Sequence, residues 1–402
     1  MATVNEAWPR LKTETRTWRS TLPPDVISRK RLDLVNGPYE ASVVPEISGL
    51  VPRVDTETSS AAEDASTALV RFDSEVGNLT APFASILLRS ESASSSQIEN
   101  LTAGARAIAE AELGERVSGN GPQVVRNVRA MQAALSLSEH IDDASIIAMQ
   151  AALLEDDHPD MTGRYRNEQV WIGPSQLGPR GASFVPPHQD RVPEAMRDLE
   201  AFIARADLPV VTQAAIAHAQ FETIHPFPDG NGRTGRALVQ AMLRRGGLTT
   251  HVTVPVSAGL LVDVDTYFAA LGAYREGDID PIVRTFAEAT LLAIENGKRL
   301  AEDVQSVQSS WNERLRGVRA HSSARRLAEI VLEQPVLNAE VAQQRLGVSK
   351  PVVYNSLAVL VERGVLQLAT SKRRNQIWIA DDLIAVLDEF AARAGRRSRP
   401  SS

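Results

Sequence analysis

The stretch HPFPDGNGRTGR, residues 225 to 236, packs one histidine, one aspartate, one asparagine, two arginines and three glycines into twelve positions. Each type suits the handling of a polyphosphate. Gly230 and Gly232 permit a tight turn whose backbone N–H groups converge on an anion, and the helical pattern RTGRALVQAML that follows adds its dipole. Arg233 and Arg236, three apart, project from one side of the first helical turns, where two guanidinia can fork onto two different phosphates. Asp229 is a hard oxygen ligand for Mg²⁺ beside that nest. His225 is the one group in the stretch that takes up a proton near neutral pH.

The embedded GNGRTG has the G-x-G-x-x-G spacing of a dinucleotide-binding turn. That reading demands a buried strand before the glycines and an acidic residue about 20 positions after them. Neither demand is met, because Val211, Ala215, Phe221 and Ile224 recur at helical intervals just upstream. A structural turn with a satisfied histidine and solvated arginines is the plainer alternative. The density of phosphate-type groups weighs against it.

The elements that must hold this loop follow from periodicity. Residues 1–60 are rich in Pro, Ser, Thr and Val without sustained period and read as an extended arm. Residues 61–155 read as a run of helices, residues 156–311 as the core carrying the loop, and residues 312–402 as a separate C-terminal module. Within the core, the Gly- and Pro-rich stretch from Thr162 to Pro193 holds two β-type runs, QVWIG and ASFVP, and predicts a hairpin.

HPFPDGNGRTGR resembles the signature of the Fic family, H-P-F-x-[DE]-G-N-G-R-x-x-R, at every defined position. The stretch QVWIGPSQLGPRGASFVPP resembles the β-hairpin flap of that family, and the similarity runs in order from about Ala68 to Glu295. The resemblance implies a mainly α fold, a Fic-type helical bundle with a β-hairpin flap. It also implies a protein adenylyltransferase, which moves AMP from ATP, with Mg²⁺, to a hydroxyl of a target protein. Carried over by position, His225 is the base and Asp229 holds Mg²⁺. Asn231, with the backbone of Gly230 and Gly232, holds the α-phosphate; Arg233 meets the β-phosphate and Arg236 the γ-phosphate; Gly235 belongs to the same ATP loop. Val170, Trp171, Ile172 and Gly173 form the part of the flap that clamps a target segment by strand addition. Tyr267 aligns with an aromatic near the adenine pocket. Doc-type kinases of the wider family lack the second arginine, so the intact loop favours AMP transfer. Phosphocholine or UMP transfer stays open, because the nest reads phosphate and not the base.

SSSQIENLT, residues 94 to 102, reads locally as a capped helix start, with Ser95 as N-cap and Glu99 in the first turns. The same residues match the family's inhibitory pattern [ST]-x-x-x-E-[GN]. By that resemblance Glu99 pairs with Arg236 and withholds it from the γ-phosphate. In some relatives the same glutamate positions water to remove AMP from the target, so the direction of transfer is open.

The C-terminal module has another grammar. ARRLAEIVLEQPV, LNAEVAQQRLGV and SKPVVYNSLAVLVERGVL read as three helices, and QLATSKRRNQIWIA as two strands with a basic tip, which is the order of a winged helix. Lys350, Tyr354 and Asn355 are then candidates for a DNA groove, and Lys372, Arg373 and Arg374 for its backbone. From His321 onward there are 12 Lys and Arg against 8 Asp and Glu, a local +4 within a chain of net −7. The acidic remainder argues against nonspecific nucleic-acid binding by the body. A nucleotide-sensing, DNA-binding regulator without transfer activity is the rival reading of the whole chain. No cysteine is present, which excludes disulfides, thiolate metal sites and a cysteine nucleophile. Without a secretory pattern at the N-terminus or an apolar run of about 20 residues, the expectation is a cytoplasmic protein with no membrane partner. The expected partners are a protein substrate, itself included, DNA, and a second copy of the chain.

Overall fold

The computed structural model describes residues 7–20, 35–77, 79, 83–115, 118–175, 177–369 and 376–395. Along the chain come strands β1 (Lys12–Trp18) and β2 (Gly37–Val43), then helices α1 (Thr56–Gly77), α2 (Phe83–Ile98), α3 (Ala105–Glu112), α4 (Gly121–Ser136) and α5 (Asp143–Leu154). After an irregular stretch follow α6 (Val192–Ile203), α7 (Val210–Ile224), α8 (Asn231–Arg245), α9 (Val256–Leu260), α10 (Val264–Arg275) and α11 (Asp280–Arg314). The C-terminal stretch holds α12 (Ser323–Glu333), β3 (Val336–Asn338), α13 (Ala339–Leu346), α14 (Lys350–Glu362), β4 (Gln367–Leu368), β5 (Ile377–Ile379) and α15 (Asp381–Ala394). The mainly helical architecture with small sheets matches the sequence expectation.

These elements sort into two compact units interleaved along the chain. One comprises residues 1–64, 132–246 and 265–287; the other comprises 65–131, 247–264 and 288–402. In the first unit, α7 is buried along almost its whole length, from Val211 to Ile224, so helices and loops pack on every side of it. It stands where a dinucleotide-binding fold would need a strand. The expected extended arm carries a ribbon: β1 and β2 pair antiparallel, with Lys12 opposite Val43 and Trp18 opposite Gly37. The side chains of β2 reach the irregular stretch, where the Tyr39 hydroxyl donates to Gln169 at 2.9 Å and the Ser42 hydroxyl to the Val185 carbonyl at 2.7 Å.

In the second unit, α2 overturns one sequence expectation. Ser95 is no N-cap; it is fully buried inside the helix, close to its C-terminal end. Serines survive in this helix because their hydroxyls bond back one turn, Ser90 to the Ile86 carbonyl and Ser92 to the Leu88 carbonyl, both at 2.9 Å. The helix ends in a Schellman turn: the Leu101 amide donates to the Ser96 carbonyl at 3.0 Å and the Asn100 amide to the Gln97 carbonyl at 2.9 Å. Asn100 takes the left-handed position of that turn at φ 62°, and Glu99 beside it is exposed.

The C-terminal strands form a three-stranded antiparallel sheet in the order β3-β5-β4. Gly347, left-handed at φ 66°, ends α13, and Ser349 opens α14 at the N-cap position without a side-chain bond. Residues 372–374 lie outside the described residues, so the basic tip has no structural account.

One composition reading needs correction. Val256–Arg275 is long and apolar enough to cross a membrane, by length and composition alone. Half of that window is buried inside the protein, as expected of a core segment.

Asp73, near the end of α1, is a junction of the second unit. Its carboxylate accepts from the amides of His251 and Val252 at 2.8 and 2.9 Å and from the Thr250 hydroxyl at 2.7 Å. Burial works to raise its pKa, but the bonds from Thr250, Val252 and His251 outweigh it and hold the group at about 2. A depressed carboxylate pKa contributes stability that is complete above the unfolded value, near 4, and lost as pH falls towards 2. Asp73→Asn should therefore lower the melting temperature at pH 7 and flatten its decline between about pH 4 and 2. Parallel melting curves for both proteins across that window would count against this role.

Candidate functional site

The twelve-residue stretch folds as a sharp reversal between α7 and α8. α7 ends at His225, which adopts the left-handed conformation at φ 52°, ψ 60°, with its amide on the Phe221 carbonyl at 2.8 Å. A non-glycine residue there costs roughly 1–2 kcal/mol and persists only where its surroundings impose it. Three contacts do so. The Phe227 side chain is fully buried, its ring 5.4 Å from Tyr165 and 6.3 Å from Phe221. The Asn231 carboxamide closes the loop, its oxygen accepting from the Phe227 amide and its nitrogen donating to the Phe227 carbonyl, both at 2.9 Å. Gln150 of α5 donates to the Asp229 carbonyl at 3.5 Å.

Arg166, which sequence reasoning missed, fixes the other side. Its guanidinium donates to the carbonyls of His225 at 2.8 Å, Glu168 at 2.9 Å and Pro187 at 2.5 Å. Its own amide donates to Pro226 at 2.9 Å. The buried cation sits at the negative end of α7, where the dipole favours it. Burial draws its pKa down to about 10, which leaves it charged at neutral pH. Glu168 and Pro187 flank the predicted flap, so one side chain ties both legs of the flap to the loop.

Gly230, the N-cap of α8, is left-handed at φ 81°; a Cβ there would also lie 2.8 Å from a methyl of Leu153. Gly235, one turn on, brings α8 against α7, since a Cβ would meet Phe221 at 3.0 Å and His218 at 3.1 Å. The first turn of α8 carries no acidic residue, and Arg233 and Arg236 are both buried on its opening turns. Two buried guanidinia at the positive end of a helix oppose the dipole, and an anion reverses that balance. Asp229 stands at the mouth, its side chain 57% exposed, with Oδ1 accepting from the Gly230 amide at 2.6 Å and Oδ2 3.9 Å from the Arg233 guanidinium. Among the described residues no cluster of three or more His, Cys, Asp or Glu could hold a metal ion. One exposed carboxylate beside a phosphate nest fits Mg²⁺, which takes one or two protein carboxylates and completes its shell with water and substrate oxygens.

The structure relocates two sequence-predicted residues. Asn231, read as an α-phosphate ligand, spends its carboxamide on the Phe227 backbone and positions the loop. Tyr267, read as an adenine-pocket aromatic, is 1% exposed, and its hydroxyl lies 2.7 Å from His218 Nε2 in the core. Burial, with the nearby Arg236 charge, lowers the pKa of His218 to about 3, so this histidine is neutral. The exposed aromatic on α10 is Phe268, 5.2 Å from the Tyr267 ring.

The flap is a single antiparallel bridge. Ile172 donates to the Phe184 carbonyl at 2.8 Å and accepts from the Ser183 and Phe184 amides. Ile172 and Gly173 are exposed, whereas Trp171 packs edge-on against Trp18 at 5.3 Å and Val170 is half-buried. Phe184 also stacks under the Arg275 guanidinium at 3.6 Å. Glu222, one turn before His225, brings a carboxylate oxygen 3.8 Å from His225 Nδ1. In the other unit, Lys350, Tyr354 and Asn355 are exposed on α14.

Residues 140–243 match the Fic/DOC family, and residues 59–136 match the Fic/DOC family N-terminal region. Curated proteins similar to this chain include a protein adenylyltransferase Fic of Nematostella vectensis, 32% identical over 156 residues. Another is protein adenylyltransferase fic-1 of Caenorhabditis elegans, 30% identical over 175 residues. The matches cover 38% and 42% of this chain and 33% and 31% of those proteins, so the chain spans about a third of their length. Among solved structures, a Fic family protein from Desulfovibrio desulfuricans G20 shares the fold, with a TM-score of 0.53 at 22% identity, over 84% of this chain and 98% of that one.

If Arg166 holds the reversal, Arg166→Met should strand its carbonyl partners and destabilise the protein by about 1–3 kcal/mol. Thermal denaturation checks this, and an unchanged melting temperature would refute it.

Proposed function

We propose, for a chain that carries a Fic/DOC domain behind the family's N-terminal domain, that it is a protein adenylyltransferase restrained by its own Glu99. The observation that carries this is the loop itself, an intact H-P-F-x-D-G-N-G-R-x-x-R stretch folded as a reversal into α8, with Arg233 and Arg236 on the opening turns of that helix. That is a site for a polyphosphate with more than one negative group to bind.

The reaction follows from the residues. A target hydroxyl attacks the α-phosphorus of ATP, the new O–P bond forms as the bond to the β-phosphate oxygen breaks, and pyrophosphate leaves. His225, held by the left-handed turn and by Arg166 on its carbonyl, takes the hydroxyl proton. The amides at the start of α8 meet charge that grows on the α-phosphate oxygens, which is the differential stabilisation a transferase needs. Arg233 and Arg236 hold the β- and γ-phosphates and so fix the leaving group in line. Asp229 would hold Mg²⁺, which would supply countercharge to the polyphosphate. The exposed Ile172 and Gly173 of the flap offer backbone groups to an extended target segment, which needs little side-chain selectivity.

The brake rests on residues 95–100. Asn100 fills the left-handed position at which a helix end admits glycine or asparagine, matching the [GN] of the inhibitory pattern and leaving Glu99 on the turn itself. A carboxylate engaged with Arg236 excludes a phosphate from the same guanidinium. In the C-terminal module, the order of α12, β3, α13, α14, β4 and β5 supports a winged helix, with Lys350, Tyr354 and Asn355 exposed for duplex DNA.

Two variants test the reading. Glu99→Gly should raise self-labelling from ATP labelled at the α-phosphate, with a mass gain of one AMP; unchanged labelling removes the brake. Adding His225→Ala to that background should cut transfer by about 100-fold or more while ATP still binds. Persistent transfer would dismiss His225 as the base, and release of AMP from a pre-labelled target would favour hydrolytic removal of AMP by water.

A further inference from the structure

Within the second unit, the turn that carries Glu99 is followed by a short connection into α3. That helix has no cap of its own, because Gly104 occupies the N-cap position and supplies no side chain. The acceptor comes from the far end of the chain: Asp388 Oδ1, on α15, accepts from the Ala105 amide at 2.8 Å. It is thus a tertiary cap, a carboxylate at the positive end of a helix to which it is not adjacent in sequence. A second tie holds the same connection, the Asn120 side chain donating to the Thr102 carbonyl at 3.2 Å.

The packing agrees. Ala109 of α3 shares one apolar cluster with Val336 of β3, Ile377 and Ile379 of β5 and Ile384 of α15, and Ala105 and Leu113 pack against it. α2 is tied in as well: Arg89 pairs with Glu112 of α3 at 2.6 Å and donates to the Glu333 carbonyl at the end of α12. At the last turn of α2, a Cβ on Gly395 would lie 3.3 Å from the Gln97 side chain. The turn bearing Glu99 therefore has helices bonded to the C-terminal module on both sides.

We infer that Asp388 is a positioning residue for the Glu99 turn, so that the C-terminal module sets how firmly the brake is held. This rests on the proposed role of Glu99. Any partner that displaces α15 withdraws the Asp388 carboxylate from the Ala105 amide and slackens the connection five residues after Asn100. Transfer would then rise without any change in the residues that meet ATP.

The test uses the full chain and five proteins: wild type, Asp388→Ala, Asp388→Asn, Glu99→Gly, and Asp388→Ala in the Glu99→Gly background. Asp388→Ala should raise self-labelling by about fivefold, the effect expected of losing one helix cap. Asp388→Asn keeps the accepting oxygen and should stay within twofold of wild type, roughly, which separates the bond from a general loss of packing. In the Glu99→Gly background Asp388→Ala should add nothing. Hydrogen exchange provides a readout that does not depend on transfer, with the amides of Ala105 and Ile108 losing protection in Asp388→Ala and keeping it in Asp388→Asn. If Glu99→Gly activates and Asp388→Ala does not, the positioning role is overturned while the brake stands. If Asp388→Ala deprotects α3 but neither variant changes labelling, the brake reading fails and the contact is structural only. Additive activation in the double variant also overturns the inference, since Asp388 would then act elsewhere.

Discussion

The site depends on one reversal: two helices are joined by six residues, the negative end of α7 beside the positive end of α8. Each end brings its own electrostatic demand. Arg166 answers the first by placing a buried cation on the last carbonyls of α7. The second is made larger by Arg233 and Arg236, which add positive charge where the α8 dipole is already positive. The loop between them is held by the Asn231 carboxamide on the Phe227 backbone and by the buried Phe227 ring, so local contacts fix how α8 starts.

How much of this was legible in the sequence follows the range of the interactions. The loop was legible because its parts lie within twelve positions and their types are rare in combination. The helices were legible because their apolar residues recur at helical spacing. Arg166 was not, because its partners are backbone carbonyls 2 to 59 positions away, and carbonyls carry no residue identity. Asp388 was not, because its partner is an amide 283 positions away. Tyr267 was misplaced because an aromatic on an amphipathic helix reads the same whether it faces a ligand or a core, and its hydroxyl found His218 instead.

Two other differences have equally local causes. KTETRTW makes β1 without an apolar alternation, since that strand is mostly exposed and the buried positions lie on β2, at Tyr39, Ala41 and Ser42. Only the β-branched threonines hint at a strand. Ser95 looked like a cap because serine competes for backbone bonds at helix starts. The same tendency lets it sit inside a buried helix when its neighbours bond back to carbonyls one turn away. A residue type can thus announce local hydrogen bonding without saying at which end of the helix it occurs.

The shared cluster of Ala109 with Val336, Ile377, Ile379 and Ile384 has a consequence for dissecting this chain. A cut at residues 312–322 looks harmless on paper, because it falls at the end of the long α11, ahead of the C-terminal helices. In the folded protein it would strip the cover from α3 and leave apolar residues of both fragments facing water. The C-terminal stretch is one half of a split hydrophobic core whose other half is encoded some 230 residues earlier. Recombining separately produced halves, rather than deleting one, is the way to ask what each contributes.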